Sequence, residues 1–385
     1  MSTNTLKIYN TAHLVDLAVL PEYRDFSVVD LSLAVNRLKA DHNPLEFVSG
    51  LRLPVLIKNI DCAPEVVVSL VESDLDLEEI VGCCSQNYYL KLACEREDIS
   101  SRVSFLDVEI REKEKQEEKV FAPAPEFINN LLISADDTKH KTNILESIIK
   151  GWIFSGDQEK IAAYVAEVIS TDIIGKTTAS DELKFYRFMT AVANMTGTVM
   201  NYTTLANNVG ITGPTAKAWL KFLEGTGLVY LVDPIEDVPG KRLMKAPKVY
   251  FRDTGICSYL LQIKDTNELI QSIHYKKLFD NFVMNLIRES YIENKEEISW
   301  RFYRDSNAKE ISAIIKRDNE IYPLIISLEK MTAKKLSKSF AIVREYCEEK
   351  NLEMGTGSLI TLGKDTGVLS REEGLVQINA EDLLK

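Results

Sequence analysis

Residues 300–327, WRFYRDSNAKEISAIIKRDNEIYPLIIS, constrain the fold more than any other stretch of this 385-residue chain. Two apolar, β-branched runs, 310–315 and 321–327, are separated by a polar turn built on Arg317, Asp318 and Asn319. Runs of that length and composition read as strands buried in a sheet, and the turn folds the second back along the first. Along the second strand, period two puts Ile325, Ser327 and Glu329 on one face and Lys330 on the other. Beyond it, 331–347 reads as a long helix, 357–362 and 375–378 as further strands, and a short helix closes the chain, which together make a mixed sheet.

Ahead of the hairpin the pattern changes several times. Short apolar runs at 6–9, 26–31, 55–60, 79–83 and 103–108 alternate with helical patterns, which argues a parallel α/β sheet. Residues 109–119, EIREKEKQEEK, carry almost nothing apolar and run into Phe-Ala-Pro-Ala-Pro, a solvated helix end opening a linker. From 131 to 174 the pattern is helical, with Ile144, Ile148, Ile149 and Trp152, then Ile161, Tyr164, Val165 and Val168, at the spacing of packing faces.

Residues 201–210, NYTTLANNVG, read as a capped helix closed by a glycine, and Pro214 sits in the first turn of a second helix. Leu205, Val209, Ile211, Ala216, Leu220 and Leu223 form the inner face of that pair, while Thr215, Lys217 and Lys221 point outward as a DNA-reading helix would present them. After a strand at 228–232 comes a wing with Lys241, Arg242, Lys245, Lys248 and Arg252, preceded by Asp233, Glu236 and Asp237. The set is either a DNA-backbone contact or a domain joint that reuses a helix-turn-helix shape. Only two outward lysines mark the helix and no aromatic interleaving supports base stacking, which favours the joint.

The formal charge of -12, from 46 Lys+Arg against 58 Asp+Glu, argues against non-specific wrapping of nucleic acid or adhesion to an anionic membrane. No segment approaches the roughly 18 apolar residues of a membrane span, and the first residues show no charged region followed by an apolar one, so the expected compartment is the cytoplasm. Six cysteines without C-x-x-C spacing and four scattered histidines read as reduced, mostly buried cysteines and no metal site.

The runs TGTVMNYTTLANNVG at 196–210, GKRLMKAPKVYFRDTG at 240–255, LFDNFV at 278–283 and FYRDSN at 302–307 resemble a large prokaryotic family of AAA-type ATP-binding proteins. In that family the C-terminal half carries a winged helix and a restriction-endonuclease-like domain. PVLIKNIDCAPE at 54–65, SQN at 85–87 and SRV at 101–103 extend the resemblance into the N-terminal half. It implies a P-loop after the first strand, whose backbone amides wrap phosphates and whose lysine reaches them. Here the first strand runs into Asn10-Thr-Ala-His-Leu14, with neither glycine nor lysine. Gly175-Lys176-Thr177 follows a helical pattern with Ser170 at the first glycine position, and is a decoy. The acidic pair that would hold Mg²⁺ falls on Lys58 and Asn59; Asp61 lies two residues on. Ser85 and Asn87 are similar to the family's polar sensor, and Arg102 also survives. In the nuclease-like part the resemblance places an Asp at Ser312 and Glu-x-Lys at Ile325 and Ser327, so the metal ligands and the lysine are gone. Asp280 and Glu310 remain, two carboxylates of the kind ordinary on a surface.

The expected architecture is α/β: a degenerate AAA/P-loop-like parallel sheet domain over 1–120, a helical lid-like linker over 121–180, a winged helix over 181–262 and a degenerate restriction-endonuclease-like mixed-sheet domain over 263–385. The expected role is that of a non-catalytic relative of these ATPases, without cofactor, which binds a protein partner or active paralogue, and duplex DNA only weakly. The alternative is an ATPase that binds ATP and Mg²⁺ through an unorthodox loop.

Overall fold

The computed structural model describes residues 5–11, 17–85, 87–107, 143–173, 182–236, 243–293, 296–363 and 366–384. The chain divides into two compact units, Met1–Ile110 with Lys217–Val229, and Arg111–Ala216 with Tyr230–Lys385.

In the first unit the five apolar runs become β1 (Leu6–Asn10), β2 (Ser27–Asp30), β3 (Val55–Lys58), β4 (Ile80–Cys84) and β5 (Val103–Asp107). They form one parallel sheet in the order β2-β3-β4-β1-β5. Two strands stop earlier than their apolar runs, and each stop has a local cause. β2 ends at Asp30, whose carboxylate accepts from the Ser32 N–H at 2.9 Å and turns the chain. β3 ends at Lys58 because Asn59 takes a left-handed backbone, φ 54°. Helices α1 (Ala34–His42), α2 (Pro44–Ser49), α3 (Glu65–Glu72) and α4 (Tyr88–Arg96) follow β2, β3 and β4 and share a core with Leu6, Ile8, Val55 and Ile57 on one face of the sheet. Residues 17–26, ahead of β2, cover the opposite face, where Leu17, Tyr23 and Phe26 pack on Leu56, Val81 and Cys83. The neighbours β1 and β4 therefore release the chain to opposite faces. That divergence is a topological switch point, where open parallel sheets present a crevice beyond the strand ends.

The second unit begins with helices, α5 (Ile144–Lys150), α6 (Gln158–Ile173), α7 (Glu182–Asn194) and α8 (Tyr202–Val209). The packing faces read from the sequence are buried, from Ile144 and Ile148 to Val165 and Val168, except for Trp152, which is half-buried. α8 starts where Asn201 Oδ1 accepts from the Thr204 N–H at 3.0 Å and ends at Gly210, φ 75°. α9 (Gly213–Gly225) follows, and β6 (Val229–Val232) pairs with β7 (Lys248–Phe251). Next come α10 (Thr254–Leu260), α11 (Thr266–Gln271) and α12 (Tyr275–Glu293).

The C-terminal sheet contains β8 (Ser299–Arg304), β9 (Glu310–Arg317), β10 (Glu320–Ile326), β11 (Glu353–Met354), β12 (Gly357–Thr361), β13 (Gly367–Ser370) and β14 (Leu375–Asn379), with α13 (Ala333–Lys350) between β10 and β11. Its order is β13-β14-β12-β10-β9-β8, with β11 beside β10. The hairpin forms as read: β9 and β10 are antiparallel, and the turn passes through Asp318 at φ 48°. β12 lies parallel to both β10 and β14, so the sheet is mixed. α13 buries Leu336, Phe340 and Val343 on Ile311, Ile325 and Leu359. The runs at 109–119 and 175–177 lie outside the described residues.

Candidate functional site

Two polar constellations occupy the strand ends that the sequence singles out, one in each unit. In the first, the crevice beyond β1 and β4 is walled by side chains whose hydrogen bonds are made within the chain. Thr11 donates both its N–H and its hydroxyl to the Cys84 carbonyl, at 2.9 and 3.1 Å. Asn10 Nδ2 and the Asn87 N–H both donate to the Gly225 carbonyl at the end of α9, at 3.1 and 2.8 Å. The carbonyl of one glycine thus ties the end of β1 to the residue that opens α4. Asn87 is buried, and its side-chain oxygen has no hydrogen-bond partner among the described residues.

At the neighbouring strand end Ser85 donates to Asp61 at 2.8 Å, so two of the residues marked in the sequence do meet. Asn59 donates from Nδ2 to Asp30 at 2.9 Å, which its left-handed backbone makes possible. Burial works against charge on Asp30, but the hydrogen bonds from Asn59 and Ser32 and the Lys58 ammonium hold its carboxyl below the usual range. Lys58 is half-buried, in register with Asp30 across β2 and β3. Arg102 is exposed ahead of β5. No group of three or more His, Cys, Asp or Glu able to hold a metal occurs among the described residues.

The second constellation sits where β7, α12 and β9 meet, and it overturns the expectation that Asp280 and Glu310 are ordinary surface carboxylates. Glu310 is only a quarter exposed and is clamped from two sides, by the Lys248 ammonium on one carboxylate oxygen and by the Arg304 guanidinium on the other. Lys248 is itself buried, 1% exposed, with its ammonium 5.1 Å from the centre of the Phe302 ring. Asp280, also buried, pairs with Lys276 one turn earlier on α12. Burial pushes the Asp280 carboxyl above its ordinary value against the pull of Lys276 and Lys248. At Glu310 burial opposes charge too, but Lys248 and Arg304 prevail and hold the carboxyl low. Each of the two carboxylates therefore has a cation of the chain against it, Lys276 at Asp280 and Lys248 and Arg304 at Glu310.

The three substituted positions are absorbed into the sheet. Ser312 Oγ accepts from the Ile326 N–H at 3.0 Å, across the hairpin. Ile325 packs into the core against α13. Ser327 Oγ accepts from the Glu329 N–H at 3.0 Å and its own N–H pairs with the Ile360 carbonyl.

A further correction concerns the outward-facing cations. Lys217 and Lys221 are exposed on α9 as read, and Lys245 is exposed ahead of β7. Thr215 is half-buried, its hydroxyl 2.7 Å from that of Thr212. Lys248 and Arg252 are not among them: the wing reading places both on a surface, but β7 turns Lys248 inward to Glu310, and Arg252 is buried with its guanidinium 3.9 Å from the Glu289 carboxylate. Lys241 and Arg242 lie outside the described residues.

What the sequence reading misses is the polar stripe of α12. Asn281, Asn285 and Glu289, spaced by four, are all buried. Asn281 accepts from the Phe251 N–H and donates to the Phe251 carbonyl, at 2.9 and 2.7 Å, which copies a strand partner for the end of β7. Asn285 donates to the carbonyls of Phe251 and Arg252, at 2.9 and 3.0 Å, and accepts from the Tyr230 hydroxyl at 2.9 Å. Asp253 then caps α10 through Ile256 and accepts from the N–H groups of Trp152 and Ile153, at 2.9 and 3.0 Å, which joins the end of α5 to β7. The spacing of four was visible in the sequence as a signal; the partners were not.

Compared with known families, residues 150–267 match a domain of unknown function (DUF8612) and residues 275–380 match another (DUF4143). The ion cluster draws on both matched segments, Lys248 from the first and Asp280 and Glu310 from the second. Neither the curated proteins nor the solved structures include a significant match.

Proposed function

We propose that this chain is a non-catalytic relative of AAA-type ATPases that acts by binding, with a partner protein or an active paralogue as its target. The observation that carries this reading is the Gly225 carbonyl held by Asn10 and Asn87 at the switch point, where a nucleotide phosphate would otherwise meet backbone amides. A carbonyl oxygen repels phosphate, and no glycine or lysine follows β1 to offset it. Lys58 brings positive charge to where Mg²⁺ would sit, and Asp61 already takes the Ser85 hydroxyl. Residues of this kind do not fit a magnesium-triphosphate group. Support for the family relationship comes from the C-terminal match, to a domain often found with AAA-like ATPases.

The same logic extends to the C-terminal site. Lys248 neutralises Glu310 from within, so the nuclease-like sheet serves as scaffold. Duplex DNA is the weaker partner in this reading, because the chain carries a net charge of -12 and only Lys217, Lys221 and Lys245 of the candidate cations are exposed among the described residues.

The competing reading, ATP held by an unorthodox loop, draws on the Asp61–Ser85 pair beside the crevice. Titration calorimetry with Mg-ATP separates the two. The expected result is no measurable heat and no rise in melting temperature, since any tight site would stabilise the fold by mass action. Micromolar binding, or turnover abolished by Asp61→Ala, would establish the ATPase reading instead.

A further inference from the structure

We propose that the groove between helix α13 and edge strand β13 takes up an extended, acidic segment of a partner protein. The proposal rests on the binding reading above and names a surface that would serve it. β13 is the outer strand of the sheet and pairs with β14, so among the described residues its other edge has no ladder. An open edge is a template for an added strand, with main-chain hydrogen bonds for affinity and alternate side chains for specificity.

The residues beside that edge set the chemistry of what can be added. The register slips between Val368 and Ser370, and Leu369 packs toward α13. Without the slip Ser370 would face away from the helix; with it, Ser370 lines the same side. It forms one wall of a cavity of about 370 Å³ together with Glu372 and Glu373, and Lys334, Lys338 and Arg344 of α13 form the other. Arg344 is fixed in place, donating to the carbonyl and hydroxyl of Ser337 at 3.0 and 2.9 Å. Lys334 and Lys338 lie one turn apart, exposed, and make no ion pair among the described residues.

The charge order of α13 points the same way. Lys334, Lys335 and Lys338 stand in its first turns, which have no acidic residue, against what the helix dipole favours at that end, and Glu345, Glu348 and Glu349 precede Lys350 at the other. Two sources of positive potential therefore coincide at the groove, and an acidic chain relieves both. Glu372 and Glu373 on the facing wall discriminate against a continuous phosphate backbone. They leave room for a peptide in which acidic and apolar side chains alternate. Val368, 45% exposed on the other face of β13, is the surface that the apolar side chains would cover.

The test is fluorescence anisotropy of the full chain with a labelled decapeptide of alternating glutamate and valine, against the same peptide with its central valines changed to proline and against an oligothymidylate of equal charge. The expected result is saturable binding of the first peptide, weakened about tenfold by Lys334→Glu/Lys338→Glu and to a similar degree by the prolines, which cannot donate to a strand edge. Glu372→Gln/Glu373→Gln should tighten it. The proline arm uses the native chain and stands even where a variant fails to fold. Absence of peptide binding, equal binding of the proline peptide, or displacement of the peptide by the oligonucleotide would each overturn the proposal. The Mg-ATP titration is unaffected by any of these outcomes, so the parent reading is judged separately.

Discussion

Lys248 and Glu310 form a largely buried ion pair in the C-terminal half, and their unequal exposure makes the two ends of the pair inequivalent. Glu310→Gln leaves a buried ammonium without its carboxylate, a change that costs about 3 kcal/mol. Lys248→Met costs less, because Glu310 keeps Arg304 and is a quarter exposed. The double variant should recover part of the loss, and urea denaturation of the four species measures the coupling. If Lys248→Met were the more damaging single change, the ammonium would be stabilising something other than Glu310. Asp280 supplies a pH test with the opposite sign. Its carboxyl is raised by burial, so its contribution to stability is fully present below the unfolded value and lost as pH rises through the folded one. Asp280→Asn should therefore match the native chain near pH 4 and melt higher than it at pH 8. A melting-temperature difference that stays constant between those pH values would refute the assignment. The depressed carboxyl of Glu310 runs the other way, its stabilisation lost as pH falls through the folded value.

At the scale of elements, α12 is the piece that organises the second unit. One stripe carries Asn281, Asn285 and Glu289, and neighbouring positions bury Phe279, Phe282 and Val283. Its amides act as a strand partner for the end of β7, where the ladder with β6 gives out. Asn281→Leu keeps the branching of the side chain and removes three hydrogen bonds at once, leaving the Phe251 N–H and carbonyl and the Thr196 hydroxyl buried without that partner. The expected loss is about 2–3 kcal/mol, read as a lower urea midpoint. An exposed substitution such as Lys276→Ala on the same helix should cost far less, since Lys276 is 44% exposed.

At the scale of the whole molecule, few of the candidate DNA-contact cations reach solvent among the described residues, and Asp280 and Glu310 are held in ion pairs. Incubation with DNA or RNA and Mg²⁺ or Mn²⁺ should leave the substrate intact. Cleavage that vanishes in Asp280→Ala or Glu310→Ala would show a working site. Binding to duplex DNA should be weak and insensitive to sequence. With Lys217, Lys221 and Lys245 as the contacts exposed among the described residues, and Lys241 and Arg242 outside them, the slope of log K against log salt should be no steeper than about -4.5. Sequence-selective, nanomolar binding at physiological ionic strength, lost in Lys217→Ala/Lys221→Ala, would make the chain a DNA-binding regulator. None of the described helices is long and apolar enough to cross a membrane.

The alternation of apolar runs and helical patterns determined the parallel sheet, and the hairpin at 310–327 with the helix and strands after it determined the mixed one, because strand and helix periodicities are local properties of the chain. The helix caps at Asn201 and Gly210 were equally legible, since a cap involves neighbours within one turn. Strand β8 was not, although its pattern of burial alternates, because Arg301 and Arg304 interrupt the apolar run and its partner β9 supplies the ladder. The polar contacts that matter most lay further still from the reach of the sequence. Gly225 meets Asn10 across 215 residues, and Lys248 meets Glu310 across 62. A lysine in a row of wing cations looks like its neighbours until the fold decides which of them faces inward. Only the tertiary structure could do so, because burial is a property of what packs around a side chain and not of the residue itself.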